Sequence, residues 1–283
     1  MVKSKCVLII KCGIATAAVS NYHLILNFEK LRIWGFFYIF LTNQNLLLMT
    51  CLEVLQQLKA MGSESCKSIY LKHGAKEPLF GVKVGDLKKI QKKIKKNHTL
   101  SLELYKTGNA DAQYLAGLIA DESKISASDL ESWLEGTNWY MLYEYTIPWV
   151  AAESAFGFDL GMKWIDSNME NFQAAGWSTL ANYVSIKPDH DLNIEQFRKL
   201  LIRVENTINS APNRTRYTMN GFVIAVGCYI KELSDAAIDV ANAIGKVEVK
   251  MGETSCKVPY APDYIINTIS KGKLGIKKKM ARC

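Results

Sequence analysis

The aromatic stretch from Asn138 to Trp149 carries the side chains with the clearest potential for chemistry. Tyr140 and Glu144 stand at i and i+4, so a helix places the carboxylate beside the ring on one face, with Trp139 on the adjacent stripe. Aromatic faces attract cations, and a carboxylate among them stabilises developing positive charge or positions a water molecule. These groups suit hydrolysis of a glycosidic bond to a cationic base, because the sugar then passes through an oxocarbenium-like state. In the alternative interpretation, the aromatic residues belong to the core and Glu144 lies at its rim.

A second segment, residues 212–221, combines basic and aromatic side chains at the start of a predicted helix. Arg214 and Arg216 lie where free backbone N–H groups and the positive end of the helix dipole also favour a phosphate. Tyr217 and Asn220 follow about one turn apart on a common face. The segment therefore predicts a phosphate-binding helix start, although a capped and well-packed inner helix would show the same pattern.

Much of the positive charge is concentrated in two lysine clusters. The chain has 35 Lys and Arg against 27 Asp and Glu, and this formal charge of +8 favours a polyanionic partner. The first cluster is a helix over 85–96, whose lysines surround an apolar stripe and have a solvated outer face as their alternative interpretation. The second is the C-terminal tail, whose composition is typical of flexible, phosphate-binding segments. The lysines predicted to bind nucleic acid are Lys88, Lys89, Lys92, Lys93, Lys96, Lys277, Lys278 and Lys279.

Other kinds of site have no support in the sequence. The seven cysteines form no C-x-x-C pair, and their odd number and irregular spacing indicate reduced thiols in an intracellular protein. The four histidines are isolated from one another and from the cysteines, so no zinc-ligand spacing is present. Glycine-rich phosphate loops, G-x-S-x-G and H-E-x-x-H are also missing from the sequence. We therefore expect neither a metal nor an organic cofactor.

The elements that must position these residues are helices. From Met49 onward, apolar residues recur at helical spacing and strand alternation is nearly absent. Short helices joined by short loops indicate an all-α protein, and pairing them gives a HEAT-like α-solenoid of about six helix pairs over residues 49–270, followed by a basic tail, 271–283. An irregular bundle is the alternative. Predicted helices include 100–106, 110–120, 127–136, 138–152, 157–167, 170–184, 193–209, 213–229, 232–244 and 259–270.

Residues 1–48 differ in character from the rest. Their apolar runs are interrupted by charges and show no sustained amphipathicity, and the longest apolar span falls short of a membrane-crossing helix. Three interpretations remain open. The segment is a signal or targeting sequence, a packed or membrane-associated extension, or upstream sequence before a start at Met49.

From Met49 to the end, the chain resembles the DNA alkylation repair family, in particular a bacterial branch of its HEAT-repeat DNA glycosylases. The resemblance rests on the segments 80–90, 138–144, 216–221 and 251–259. It implies a C-shaped solenoid that holds duplex DNA along a basic concave face. In the family's active members an Asp flanked by Trp excises cationic N3- or N7-alkylated purines without a base-flipping pocket. Here the matching Asp position holds Glu144, and Tyr140 and Ile224 stand where Trp is expected. A DNA-gripping Arg is replaced near Ala175.

Two functions follow as hypotheses. In the first, the protein is a glycosylase for alkylated purines, with Glu144 stabilising the sugar cation and with Trp139, Tyr140 and Trp177 forming the aromatic wall. In the second, the protein is a non-catalytic scaffold that binds DNA structures or a protein partner. The expected partner is double-stranded DNA, either alkylated or structured. We expect a monomer that does not contact a membrane and that is cytoplasmic and associated with the bacterial nucleoid.

Overall fold

The computed structural model describes residues 49–137 and 139–282, and the secondary structure of these residues is helical, with no strand among them. The all-α prediction is therefore confirmed. Residues 1–48, whose origin the sequence left open, lie outside the described residues, as do Asn138 and Cys283. The thirteen described α-helices are α1 Cys51–Met61, α2 Glu64–Lys72, α3 Val84–Ile94, α4 His98–Lys106, α5 Ala110–Ile119, α6 Ala127–Glu135, α7 Ile147–Glu153, α8 Gly157–Ile165, α9 Glu170–Ile186, α10 Ile194–Thr207, α11 Asn213–Tyr229, α12 Ser234–Ile244 and α13 Ala261–Ser270.

Local sequence explains where many of these helices begin. Thr50 caps α1 and Ser126 caps α6 in reciprocal capping boxes with the acidic residue three positions later. Asparagine side chains accept the free backbone N–H groups at the starts of α4, α5 and α10. Because these signals are local, the predicted stretches 110–120 and 127–136 lie close to the observed α5 and α6.

Four helices, α5, α7, α9 and α11, form the centre of the fold, and we call them the central row. Each packs on the next directly or through the turn that precedes α7, and α4, α8 and α12 pack against them. Every residue of α5 is buried, and α9 and α11 are buried over much of their length. The central row therefore provides the rigid elements on which side chains can be held in place.

Close approaches within the central row require glycine. A Cβ atom built on Gly117 of α5 would lie 2.2 Å from Cγ2 of Thr146, and one on Gly176 of α9 would lie 2.7 Å from the backbone N of Ile165. Ala175 beside it is fully buried. The place where the resemblance implied a DNA-gripping Arg is thus a tight contact between α8 and α9, with no room for a long side chain.

The segment Phe80–Val82, part of the family resemblance, is held by one buried carboxylate. Asp111, in the first turn of α5, accepts hydrogen bonds from the backbone N–H groups of Phe80, Gly81 and Val82 at 2.6 to 3.0 Å. Burial raises the pKa of Asp111, and these three hydrogen bonds act against that rise. This segment is therefore a structural loop that fixes α3, the lysine-rich helix, against α5.

The C-terminal residues 271–282, which we call the C-terminal strap, fold back along the carboxyl ends of the central row. Backbone or side-chain groups of the strap bond the carbonyls of Cys228 in α11, of Val184 and Ser185 in α9, and of Leu118 in α5. These carbonyls belong to last helical turns, which lack donors within the helix. The composition predicted a flexible tail, and the structure differs because the helix ends supply acceptors for it.

None of the described helices is long and apolar enough to cross a bilayer.

Candidate functional site: a buried carboxylate–guanidinium pair

The sequence Leu142–Thr146 forms a π-helical turn that leads into α7. Pro148 has no N–H, so it cannot bond the carbonyl of Glu144 four residues earlier, and the regular helical ladder is interrupted there. Ser178 of α9 donates its hydroxyl to that carbonyl instead. Backbone chemistry thus ties the turn that carries Glu144 to the next helix of the central row.

The carboxylate of Glu144 is bound by an arginine from α11. Arg214 donates Nε to Oε1 at 2.5 Å and Nη2 to Oε2 at 2.6 Å, which is a bidentate pair. Glu144 is 1% exposed and Arg214 is 9% exposed, so water screens the pair very little. The guanidinium carbon lies 4.2 Å from the ring centre of Tyr140 and 4.7 Å from that of Tyr217, within cation–π range of both rings.

Burial and charge oppose each other at this pair. Burial raises the pKa of Glu144 to about 7, against the hydrogen bonds and positive charge of Arg214. The same carboxylate raises the pKa of Arg214 above its ordinary value, so the guanidinium keeps its charge. Glu170, at the start of α9, accepts the backbone N–H of Arg214 at 2.6 Å, and its charge also raises the pKa of Glu144.

Tyr140 connects the pair to an open pocket of about 490 Å³. Its hydroxyl shares a 2.7 Å hydrogen bond with Nδ1 of His73, and burial raises its pKa to about 12, so the phenol stays neutral at physiological pH. The pocket is lined by Tyr140 and Arg214, by residues 71–74 at the end of α2, and by residues 250–253 of the segment before α13. Met251 accepts a hydrogen bond from Nη1 of Arg214 through its sulfur at 3.4 Å.

The arrangement supplies each group that would stabilise a cation, and it already holds one. A carboxylate flanked by two aromatic faces favours a planar, delocalised positive charge. Arg214 meets that description, and it occupies both carboxylate oxygens of Glu144. In this conformation the site stabilises the protein's own guanidinium, and a sugar cation would have to compete with it.

The two predicted tryptophans lie outside this arrangement. Trp139 is 3% exposed, its ring centre is 5.1 Å from that of Tyr70, and its indole N–H donates to the carbonyl of His73. Trp177 is 2% exposed, packs on Phe222 and belongs to the core cluster of the C-terminal half. Of the predicted aromatic wall, the structure therefore places Tyr140 alone beside Glu144.

The helix start of α11 is also engaged by protein groups. The predicted phosphate position at the N–H of Arg214 is filled by the carboxylate of Glu170, and Asn220 is buried, with its amide donating to the carbonyl of Pro259. Tyr217 stacks on Arg214 and lies 3.4 Å from the hydroxyl of Tyr145. Arg216 differs from these. It is half-buried, forms no ion pair with a described carboxylate, and its buried Nε has no hydrogen-bond acceptor among the described residues.

The predicted lysines divide into free and engaged groups. On α3, Lys89 pairs with Asp86 at 2.8 Å, and just beyond it Lys96 pairs with Glu122. In the strap, Lys277 pairs with Asp189 at 2.7 Å, and Lys278 lies over the ring of Tyr229. Within the described part of the chain, no ion pair with a carboxylate involves Lys88, Lys92, Lys93 or Lys279.

Sequence reasoning missed the partners that close the site. Arg214 pairs with a carboxylate 70 residues away, and His73 bonds a tyrosine 67 residues away. No local spacing predicts such contacts. In the described residues, no group of three or more His, Cys, Asp or Glu side chains is placed to hold a metal ion.

Comparisons with known proteins found a matching family model, two similar proteins and a similar solved structure. Residues 54–265 match the family model described as "DNA alkylation repair enzyme". A protein of Listeria innocua serovar 6a is 34% identical over 215 residues, which cover 74% of this chain and 92% of that protein. A protein of Listeria monocytogenes serovar 1/2a is 32% identical with the same coverage.

A solved structure is similar over most of the fold. It covers 83% of this chain and 100% of its own, with 38% sequence identity and a TM-score of 0.76. The protein in that structure belongs to a new family related to the HEAT-like repeat DNA glycosylases, with affinity for branched DNA structures. The HEAT-like repeat fold predicted from the sequence is thereby confirmed.

Proposed function

Because this chain belongs to the DNA alkylation repair enzyme family, we propose that it is a DNA-binding protein that recognises branched DNA and does not excise bases. One observation carries the proposal. The carboxylate in the family's catalytic place, Glu144, is buried and bound through both oxygens by Arg214. A glycosylase needs that carboxylate for the substrate, and here the protein's own cation takes it. The related protein of similar fold, 38% identical, has affinity for branched DNA structures.

The charge of the chain supports DNA as the partner. An excess of eight positive charges attracts phosphates without regard to sequence. Among the residues predicted to bind DNA, Arg216 and the unpaired lysines of α3 keep their charges available, whereas Arg214 does not. We therefore propose that Arg216 and the unpaired lysines of α3 bind the phosphates of the branched DNA. A monomeric state and association with the bacterial nucleoid stay predictions.

Binding is tested with a fluorescently labelled four-way junction and a linear duplex built from the same strands. We expect tighter binding of the junction, with log affinity falling linearly with log salt concentration as counterions are released. Arg216→Ala should weaken binding of both DNAs. The matched control is Arg198→Ala, because Arg198 already forms exposed ion pairs with Glu195 and Glu232. Equal affinity for junction and duplex would contradict the recognition of branches.

Catalysis is tested on the same preparation. The glycosylase hypothesis requires Arg214 to leave Glu144 when a cationic base arrives, and a duplex carrying 7-methylguanine or 3-methyladenine is its substrate. We expect no base release above the uncatalysed control. Release that is abolished by Glu144→Gln would refute the non-catalytic assignment and establish a glycosylase.

A further inference from the structure

A second pocket, of about 570 Å³, lies where the C-terminal strap crosses the carboxyl ends of α5, α7 and α9. Basic side chains reach it from three separate parts of the chain: α3 with the residues just after it, the residue that follows α9, and the strap. Leu118, Ile186 and Met280 supply apolar surface between them. The six basic residues are Lys92, Lys95, Lys96, Lys187, Lys279 and Arg282.

The carboxylates of this pocket are already neutralised. Arg282 is bound to Glu122 at 2.5 Å and to Glu153 at 2.9 Å, and Lys96 also pairs with Glu122. The side chain of Arg282 is 7% exposed and also donates to the carbonyls of Leu118 and Ala120. These contacts build the pocket and use up its negative charge.

Four cations remain without a carboxylate partner among the described residues: Lys92, Lys95, Lys187 and Lys279. Lys92, Lys95 and Lys279 are exposed, and Lys187 lies over the ring of Tyr183. Unpaired like charges around one cavity repel each other, and a polyanion removes that repulsion. The pocket thus has the positive charge of a site for a phosphate backbone. Because three segments contribute to it, it is also wide enough for more than one phosphate.

Its position in the fold separates this pocket from the Glu144–Arg214 pair. Glu170 at the start of α9 contacts Arg214, whereas Ile186 and Lys187 at the end of α9 line the second pocket. A helix of 17 residues such as α9 is about 25 Å long at ~1.5 Å per residue. The two pockets therefore lie at opposite ends of the central row, about one duplex diameter or more apart.

We propose that this lysine pocket is a second phosphate-binding site, which holds one arm of a branched DNA while the end of the central row near Arg216 holds another. The proposal rests on the proposed function, since it names how that function distinguishes a junction from a duplex. A linear duplex engages one end of the row, and a junction engages both. Preference for branched DNA then comes from the added phosphate contacts of the second arm.

The test is a charge-removing triple variant, Lys95→Gln/Lys187→Gln/Lys279→Gln. Its matched control is Lys59→Gln/Lys106→Gln/Lys246→Gln, which removes three exposed lysines outside the pocket. Both are compared with the unmodified chain in binding the four-way junction and the linear duplex over a range of salt, and circular dichroism melting verifies their folding. For the junction, the pocket variant should lower the log–log salt slope by about 2.7, that is ~0.9 for each lost phosphate contact. Its affinity for the junction should fall to that for the duplex, and duplex binding should not change.

Each other outcome has a distinct meaning. If the pocket variant still prefers the junction to the duplex, the second site does not exist. If it loses affinity for both DNAs equally, both ends of the row hold the same duplex, and the second-arm proposal is overturned. If the unmodified chain binds neither DNA, the proposed function itself is wrong, and the unmodified chain alone shows this.

Discussion

Replacing Arg214 by alanine should be among the most damaging single changes in the described part of the chain, and more so at high pH. The substitution removes the partner of a carboxylate that is 1% exposed, and that carboxyl must then either keep an unpaired buried charge or hold a proton at a pH where the unfolded chain has released it. Breaking a buried ion pair from one side costs about 3–5 kcal/mol. Tyr140 and Tyr217 also lose the cation stacked between them. We expect a loss of that size in the free energy of unfolding at pH 8.5.

The pH dependence follows from the same pair. Burial raises the pKa of Glu144 to about 7 in the native chain, and removing the guanidinium, which acts against burial, raises it further in Arg214→Ala. Below pH 7 both folded proteins hold the proton, so their stability difference is constant. Between pH 7 and the higher pKa of the variant, only the folded variant is still protonated, and its deficit grows by up to ~1.4 kcal/mol per pH unit.

Urea denaturation followed by circular dichroism at pH 6.0 and 8.5 measures this deficit. Arg198→Ala is the control, because exposed ion pairs contribute about 0–1 kcal/mol. Adding ethylguanidinium should stabilise Arg214→Ala and not the native chain, by about 1.4 kcal/mol at roughly ten times its dissociation constant. A deficit under about 1 kcal/mol at pH 8.5, or one that shrinks as pH rises, would refute the assignment of Arg214 as the buried partner of Glu144.

Three further predictions concern the same framework. Arg282→Ala should lower the free energy of unfolding by about 2–3 kcal/mol in urea denaturation, because it leaves two largely buried carboxylates and two carbonyls without their donor. A loss under about 0.5 kcal/mol would show that the strap does not stabilise the fold. Gly117→Ala should lower the free energy of unfolding by about 1–3 kcal/mol, since its Cβ would lie 2.2 Å from Cγ2 of Thr146. Gly221 has open space around it, so Gly221→Ala should stabilise the chain by about 0.5–1 kcal/mol. Equal melting temperatures of the two variants would contradict this. The stability of the native chain relative to Glu144→Gln should fall as pH rises from about 4.5 to about 7, because over that range folded Glu144 holds a proton that the unfolded chain has released. A flat difference between pH 5.5 and 7.5 would contradict the raised pKa.

The fold was largely accessible from the sequence because its determinants are local. Helical spacing and short loops each act over a few residues, and they predicted most of the helices to within a few residues of their observed ends. The i, i+4 spacing of Tyr140 and Glu144 likewise predicted a carboxylate beside a ring. What the spacing could not predict is the cation that joins them, because four α-helices and two short 3-10 turns separate Arg214 on α11 from the turn of Glu144 in the chain.

The C-terminal strap shows a different limit of sequence reasoning. Its lysines, its glycines and its position after the last helix are typical of a solvated tail. Composition describes what a segment can do in water, and it does not describe the surface that the rest of the chain presents to it. Here that surface is a row of helix ends whose free carbonyls and negative dipole ends favour N–H donors and cations. Lys277 and Arg282 are therefore drawn onto the fold, and Lys279 between them is left facing outward.

The pairing of Arg214 with Glu144 also bears on which part of the protein binds DNA. A carboxylate buried among aromatic rings costs several kcal/mol unless a positive charge joins it. A glycosylase can leave that charge to its substrate, and its site is then a local source of negative potential that favours a cationic base. In the structure Arg214 pairs with the carboxylate of Glu144, so under the proposed function the centre of the row offers a cationic base little advantage over a normal one. We therefore propose that discrimination among DNAs depends on the path of the phosphate backbone, which unpaired cations at separated positions contact. Arg216 near one end of the row and the lysine pocket at the other are placed to do so, about 25 Å apart as set by the length of α9.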